Sequence, residues 1–154
     1  MIKLIDILKE NKILVPRRSP EERQKNYTIT VKKQIEQYIK DGSKGDLNLR
    51  ELKDGSILPL DLKVGGDLDL KSVTSIPEGF NPTVDGFLDL NNVTSIPKGF
   101  NLTVGGGLYL QNITSIPEGF NPTVGGDLYL SKIKSHTKEE LEKMLTNVKG
   151  IIII

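Results

Sequence analysis

At 154 residues the chain has the length of one domain and can bury roughly two thirds of the surface it exposes when unfolded. Its 21 Lys and Arg balance 20 Asp and Glu for a net charge of +1, without the basic excess that phosphate binding leaves in composition, so nucleic acid is not an expected partner. The absence of cysteine excludes disulfides and thiolate chemistry and fits a reducing compartment.

The first ten residues, MIKLIDILKE, break their apolar positions with Lys3, Asp6 and Lys9, so no export signal is read there. No apolar run approaches the roughly 18 residues a membrane span needs, so no membrane partner is expected. A short amphipathic helix at 2–10 is expected, packed on an N-terminal cap or serving as a docking peptide. PRRSPEERQKNY at 16–27 has the charge and proline content of a linker. Val31, Ile35, Tyr38 and Ile39 then fall at helical spacing before Gly42, which predicts a capping helix over 29–41. Together these segments form an N-terminal division at 1–44.

From residue 45 to 134 the chain repeats. VGGDLDLKSVTSIPEGFNPT at 64–83 returns as VDGFLDLNNVTSIPKGFNLT at 84–103 and VGGGLYLQNITSIPEGFNPT at 104–123, with a period of 20. A degenerate copy at 45–63 and a diverging one from 124 bring the total to about five coils. Val84, Leu88, Leu90, Val93, Ile96 and Phe100 have counterparts one period later at Val104, Leu108, Leu110, Ile113, Ile116 and Phe120, so these residues are expected to stack in inward columns. Each L-x-L step has the alternation of a short strand, and successive copies predict parallel strands in register about 4.8 Å apart. Pro77, Glu78 and Gly79 suit a turn in which proline fixes φ and glycine accepts a positive one. Gly65 and Gly66 mark a second corner, and the outer side of each coil is expected to be extended or irregular.

After the repeats, at 135–154, Thr137 to Glu140 reads as a capping box opening a helix with Leu141, Met144, Leu145 and Val148 on its apolar side and Gly150 as its stop. The final Ile151 to Ile154 is strongly β-prone and is expected to add a closing strand. The fold class is therefore a repeat solenoid of short parallel strands with a helical cap before it and a helix and strand after it.

The frame Gly66-Asp67-Leu68-Asp69-Leu70 with Thr74-Ser75-Ile76-Pro77-Glu78-Gly79-Phe80, repeated along the chain, resembles the leucine-rich repeat. It is more similar to a short variant found in tandem in proteins of tailed bacteriophages and their bacterial hosts. The resemblance spans about 45–134 and implies a leucine-rich-repeat-like solenoid with a tendency to bind other proteins, in a bacterial cytoplasm or associated with a virion. It implies no activity and no site residues. The frame departs from the usual pattern where Val73, Val93 and Ile113 replace the ladder asparagine, and its loop is shorter, so a parallel β-helix stands as the alternative.

The functional candidates lie between the paired leucines, where side chains face solvent on the strand surface that solenoids offer to ligands. That column reads Asn48, Asp69, Asp89, Tyr109 and Tyr129, flanked by Asp46, Asp67, Phe87, Gly107 and Asp127. Phe87, Tyr109 and Tyr129 are suited to anchor a protein partner, with Asp67, Asp69, Asp89 and Asp127 setting its charge. The competing reading is a strand face that merely carries β-prone tyrosine and solubilising aspartate. Calcium at Asp67, Asp69 and Asp89 is not expected, because the nine-residue period of calcium-binding β-rolls is missing. His136 has no constellation to serve, Gly105 to Gly107 lack a following Gly-Lys-Ser/Thr, and the sequon asparagines Asn26, Asn92, Asn101 and Asn112 read as by-products of repetition. No cofactor, metal site, small-molecule substrate or catalytic function is expected. The alternative role is a structural one, in which the coils join an assembly through their ends.

Overall fold

A computed structural model describes residues 18–154, so the helix expected at 2–10 lies outside the described residues. Two compact units divide the chain, one ending at Thr30 and the other running from Val31 to Ile154, and helix α1 (Pro20–Lys40) crosses the boundary.

In the first unit, the segment read as a linker is helical from Pro20 onward. Ser19 Oγ accepts the Glu22 N–H at 3.1 Å while the Glu22 carboxylate accepts the Ser19 N–H at 2.9 Å, a reciprocal cap that satisfies two of the otherwise free N–H groups. Pro20 occupies the first helical position, where its missing N–H costs nothing. Thr28 and Thr30 turn their hydroxyls onto the carbonyls four residues back. The charged composition belongs to a solvated helix, and the capping pattern Ser-Pro-Glu-Glu was the signal that overrides it.

In the second unit, α1 ends as the sequence requires. Gly42 has φ +87°, Ser43 N–H reaches Tyr38 O and Gly42 N–H reaches Ile39 O, the paired bonds of a Schellman ending. Val31 and Ile35 are buried, whereas Ile39, expected on the same apolar side, is exposed. Gln34 donates to Asn48 O, and Tyr38 Oη donates to Gly45 O and accepts the Gly65 N–H, which ties the helix end to the first coil.

The repeats form a parallel-strand β-solenoid of about five coils. Its first sheet joins β1 (Leu47–Asn48), β3 (Leu68–Asp69), β5 (Leu88–Asp89), β7 (Leu108–Tyr109), β9 (Leu128–Tyr129) and β10 (Ile152–Ile153), in that order and all parallel. The register pairs Leu47, Leu68, Leu88, Leu108, Leu128 and Ile152, as the 20-residue period predicts. A second sheet, absent from the sequence reading, joins β2 (Lys63–Val64), β4 (Thr83–Val84), β6 (Thr103–Val104) and β8 (Thr123–Val124). The outer side of the coil is thus a regular ladder. Its period-2 signal was the alternation of buried Pro82, Leu102 and Pro122 with buried Val84, Val104 and Val124 around exposed threonines.

The expected columns fill the core: Leu68, Leu70, Val73, Leu88, Leu90, Val93, Leu108, Leu110, Ile113, Leu128 and Leu130 are all 0 or 1% exposed. Phe100 and Phe120 stack with ring planes 5° apart. Ile96 is buried, while Ile76 and Ile116 at the equivalent place are only half-buried. Among the described residues no charged or polar side chain is buried. The turn glycines Gly79, Gly99 and Gly119 have φ between 75° and 81°, as a turn with proline at its start demands.

At the far end, Thr137 and Glu140 form the expected capping box on helix α2 (Lys138–Met144). The helix closes at Leu145 rather than Gly150, and Met144 is exposed, so its buried side consists of Leu141 and Leu145. The chain after it completes a last coil. Val124 donates its N–H to Asn147 O and accepts the Lys149 N–H, and β10 adds to β9, as the β-prone tail suggested.

Replacing Leu90 by Ala should lower stability by about 2–5 kcal/mol through lost transfer energy and a cavity between coils. Thr137→Ala, which removes only a cap, should cost about 1 kcal/mol. Chemical denaturation monitored by circular dichroism distinguishes the two.

Candidate functional site

Register brings the predicted strand-face residues together as one column: Asn48, Asp69, Asp89, Tyr109 and Tyr129 are direct cross-strand partners, continued by Ile153. Its acidic and aromatic halves behave differently.

In the acidic half the carboxylates are engaged within the fold. Asp69 receives Arg50 through Nε at 2.9 Å and Nη2 at 2.6 Å, and also accepts the Lys71 N–H. Arg50 is largely exposed, so this pair contributes at most about 1 kcal/mol. Asp89 accepts the Asn91 N–H two residues on, as Asn48 accepts that of Arg50, which turns the chain after each strand. Among the described residues no three His, Cys, Asp or Glu side chains gather as a metal site would require.

The flanking column has a structural use that the sequence reading missed. Asp46 Oδ1 accepts the Asp67 N–H at 2.8 Å, Asp67 Oδ1 accepts the Phe87 N–H at 2.8 Å, and Asp127 Oδ1 accepts the Ile151 N–H at 3.0 Å. Each carboxylate supplies, one coil ahead, an acceptor for an N–H next to a strand. An amide ladder does the same at another corner, where Asn81 Oδ1 accepts the Asn101 N–H at 2.7 Å and Asn101 Oδ1 accepts the Asn121 N–H at 2.9 Å. Asn101, read as a by-product of repetition, is a member of this ladder. The signal for the amide ladder was asparagine recurring one full repeat apart at 81, 101 and 121; the aspartates at 46, 67 and 127 hold the same place in their copies, but Phe87 and Gly107 interrupt the run.

The aromatic half is the concave part of the face. Tyr109 and Tyr129 stack with centroids 4.5 Å apart and planes 10° apart, and Phe87 leans on Tyr109 at 6.1 Å and 53°. Phe87 is 49% exposed, a large apolar ring left in solvent. With Gly106, Gly107, Gly126 and Asp127 the three rings line a cleft of about 160 Å³. The glycines make its floor: a methyl on Gly107 would lie 3.3 Å from Phe87 Cδ1, and one on Gly106 would lie 2.9 Å from the Gly86 backbone. Burial pushes the Tyr109 phenol above its usual value of 10.0, and the neighbouring Tyr129, Asp89 and Asp127 raise it further.

Elsewhere, Ser135 Oγ lies 2.7 Å from His136 Nδ1 on the surface before α2. Among the described residues no carboxylate is hydrogen-bonded to the other ring nitrogen, so the pair lacks the third group that orients a base toward a nucleophile.

No protein-family model, curated protein or solved structure matches this chain.

A phenol whose pKa is raised in the native state binds its proton more tightly folded than unfolded. The stability it brings is complete below pH 10 and is lost as pH rises through its native value. Wild-type protein should therefore lose stability above pH 10 more steeply than Tyr109→Phe, which keeps the ring stack, in denaturation midpoints followed across the alkaline range.

Proposed function

We propose that this chain is a non-enzymatic, protein-binding repeat module whose strand face engages a partner through Phe87, Tyr109 and Tyr129. The observation that carries the reading is the aromatic row itself: three adjacent rings on one half of the strand face, one of them half-exposed, around a cleft with a polar edge. Partly exposed, mutually braced aromatics lose little conformational freedom on binding and offer large apolar area, which is why such residues dominate binding energy at interfaces. The aspartates Asp67, Asp69, Asp89 and Asp127 give the face a negative edge, which favours a partner with a basic rim. The resemblance to tandem repeats of phage proteins agrees with a role in a bacterial host cell, with a host or phage protein as the target.

A second reading, assembly through the ends of the coil stack, has its own support. β10 is the outermost strand of the first sheet, and the flanking Ile151 and Ile154 are 59% and 47% exposed. An apolar strand with a free edge is a template for pairing with another chain.

The triple variant Phe87→Ser, Tyr109→Ser and Tyr129→Ser, its folding checked by circular dichroism, should lose the partner retained by wild type in affinity capture from bacterial lysate. Losing three such anchors corresponds to at least about 3 kcal/mol, or more than a hundredfold in affinity. Retention of the same partner by the variant overturns the strand-face reading. Under the second reading, Ile151→Lys with Ile154→Lys converts an associating species to monomer in sedimentation, while the triple serine variant sediments as wild type does.

A further inference from the structure

The column that flanks the strands carries a capping carboxylate at Asp46, Asp67 and Asp127, and it is interrupted at two consecutive places, Phe87 and Gly107. Phe87 has no acceptor to offer the Gly107 N–H, and Gly107 has none to offer the Asp127 N–H. Among the described residues neither N–H finds another partner. The two interruptions differ in what surrounds them. Gly107 is buried beneath the Phe87 ring, whereas Asp127 is half-exposed and lines the aromatic cleft. The donor that a ladder carboxylate would have satisfied therefore opens beside Phe87, Tyr109 and Tyr129.

A partner that covers this cleft without supplying an acceptor leaves a buried, unpaired N–H, so the geometry selects for an oxygen. The electrostatics select against an anionic one. Asp127 itself borders the cleft, Asp89 acts on Tyr109 from the next coil, and no basic side chain lines the cleft. The carboxylate of Asp127 uses one oxygen for the Ile151 N–H and has the other for a donor. At about 160 Å³ the space is many times the roughly 10–15 Å³ that a single water needs, room for a side-chain amide.

Resting on the protein-binding reading of this face, we infer that the cleft is a recognition pocket for a carboxamide side chain, Asn or Gln, of the protein partner. The amide oxygen accepts from the Asp127 N–H in the place held by a ladder carboxylate in the other coils. Its NH₂ group donates to the Asp127 carboxylate, and the methylenes of the side chain lie against the aromatic rings. Gly107 makes the pocket possible, because a side chain there would fill it.

The test is a titration of the full, ¹⁵N-labelled chain with blocked tripeptides whose central residue is Gln, Glu or Met, followed by amide shifts. The Gln peptide should move the Asp127 amide proton downfield and saturate at millimolar concentration, with the Glu and Met peptides giving at least about threefold weaker responses. In Gly107→Asp, the restored carboxylate should move that proton downfield before any peptide is added, raise the thermal midpoint and abolish the Gln response. In Asp127→Asn, which keeps an oxygen for Ile151 and loses the charge, the preference for Gln over Glu should shrink or reverse. Equal responses to Gln and Met, a preference for Glu in the wild type, or a Gln response that survives in folded Gly107→Asp overturns the inference. So does an Asp127 shift produced by N-acetylglucosamine and not by the Gln peptide, which would assign the pocket to a glycan. If Gly107→Asp does not fold, the wild-type comparison of the three peptides decides alone. A partner captured through the three aromatics while Asp127 ignores every peptide ends the carboxamide assignment and leaves the protein-binding reading standing.

Discussion

Each strand in this solenoid is two residues long, and that brevity governs the rest of the structure. A two-residue strand cannot hold a register through its own ladder, nor can a single coil bury its apolar side. Position is enforced by what lies on either side of each strand. Inside, the leucines of the L-x-L step sit directly on their counterparts one coil away and are almost completely excluded from water. A slip of one residue would turn every leucine of a coil outward, so the apolar columns lock the register that the short hydrogen-bond ladders cannot. Outside, a second sheet repeats the same stacking through Val64, Val84, Val104 and Val124.

Short strands leave many backbone N–H groups at their ends, and the chain answers with side chains placed one repeat earlier. Asp46, Asp67 and Asp127 serve one corner; Asn81 and Asn101 serve another. Each such bond contributes about 0.5–1.5 kcal/mol, but its larger effect is to avoid an orphaned donor at a corner where neighbouring coils pack. The same closeness explains the paired glycines before the strands. A Cβ at Gly86 would collide with the Asp67 carboxylate and the Gly66 backbone, so the ladder and the glycines require one another.

The features legible in the sequence were those with a period. Repetition at 20 residues and the L-x-L alternation determine the coil count, the inward columns, the strand register and the strand-face column, because identical residues one period apart have no other place to go. Local chemistry disclosed the Gly42 stop, the Thr137 capping box and the closing isoleucine strand. The charge content of 16–27 concealed a helix whose Ser19, Pro20 and Glu22 opening was equally local. The second sheet was hidden because its alternation spans only three residues per copy and opens on proline at 82 and 122, which argues against a strand. The side-chain ladders escaped because an aspartate on a surface strand looks like a solubilising charge until the coil beneath it is known. At the candidate site the three aromatics were readable as a column, but the cleft between them was not. It depends on Gly107 meeting the ring of Phe87 from the adjacent coil.

That pair of residues shows how one column is divided between two uses. Where it carries aspartate, each coil is fastened to the next and the face is polar and closed. Where it carries Phe87 and Gly107, the fastening is given up in two successive coils, an apolar ring is left half-exposed over a buried Gly107, and the Asp127 N–H opens beside it. The two residues go together: a Cβ at 107 would press within 3.3 Å of the Phe87 ring, and glycine at 107 without the ring would leave a bare strand. Taken together they exchange a few local hydrogen bonds for a concave, partly apolar surface bordered by stacked tyrosines. A solenoid tolerates that exchange because the leucine columns beneath it run unbroken through the same coils, so the surface can specialise while the core retains its register.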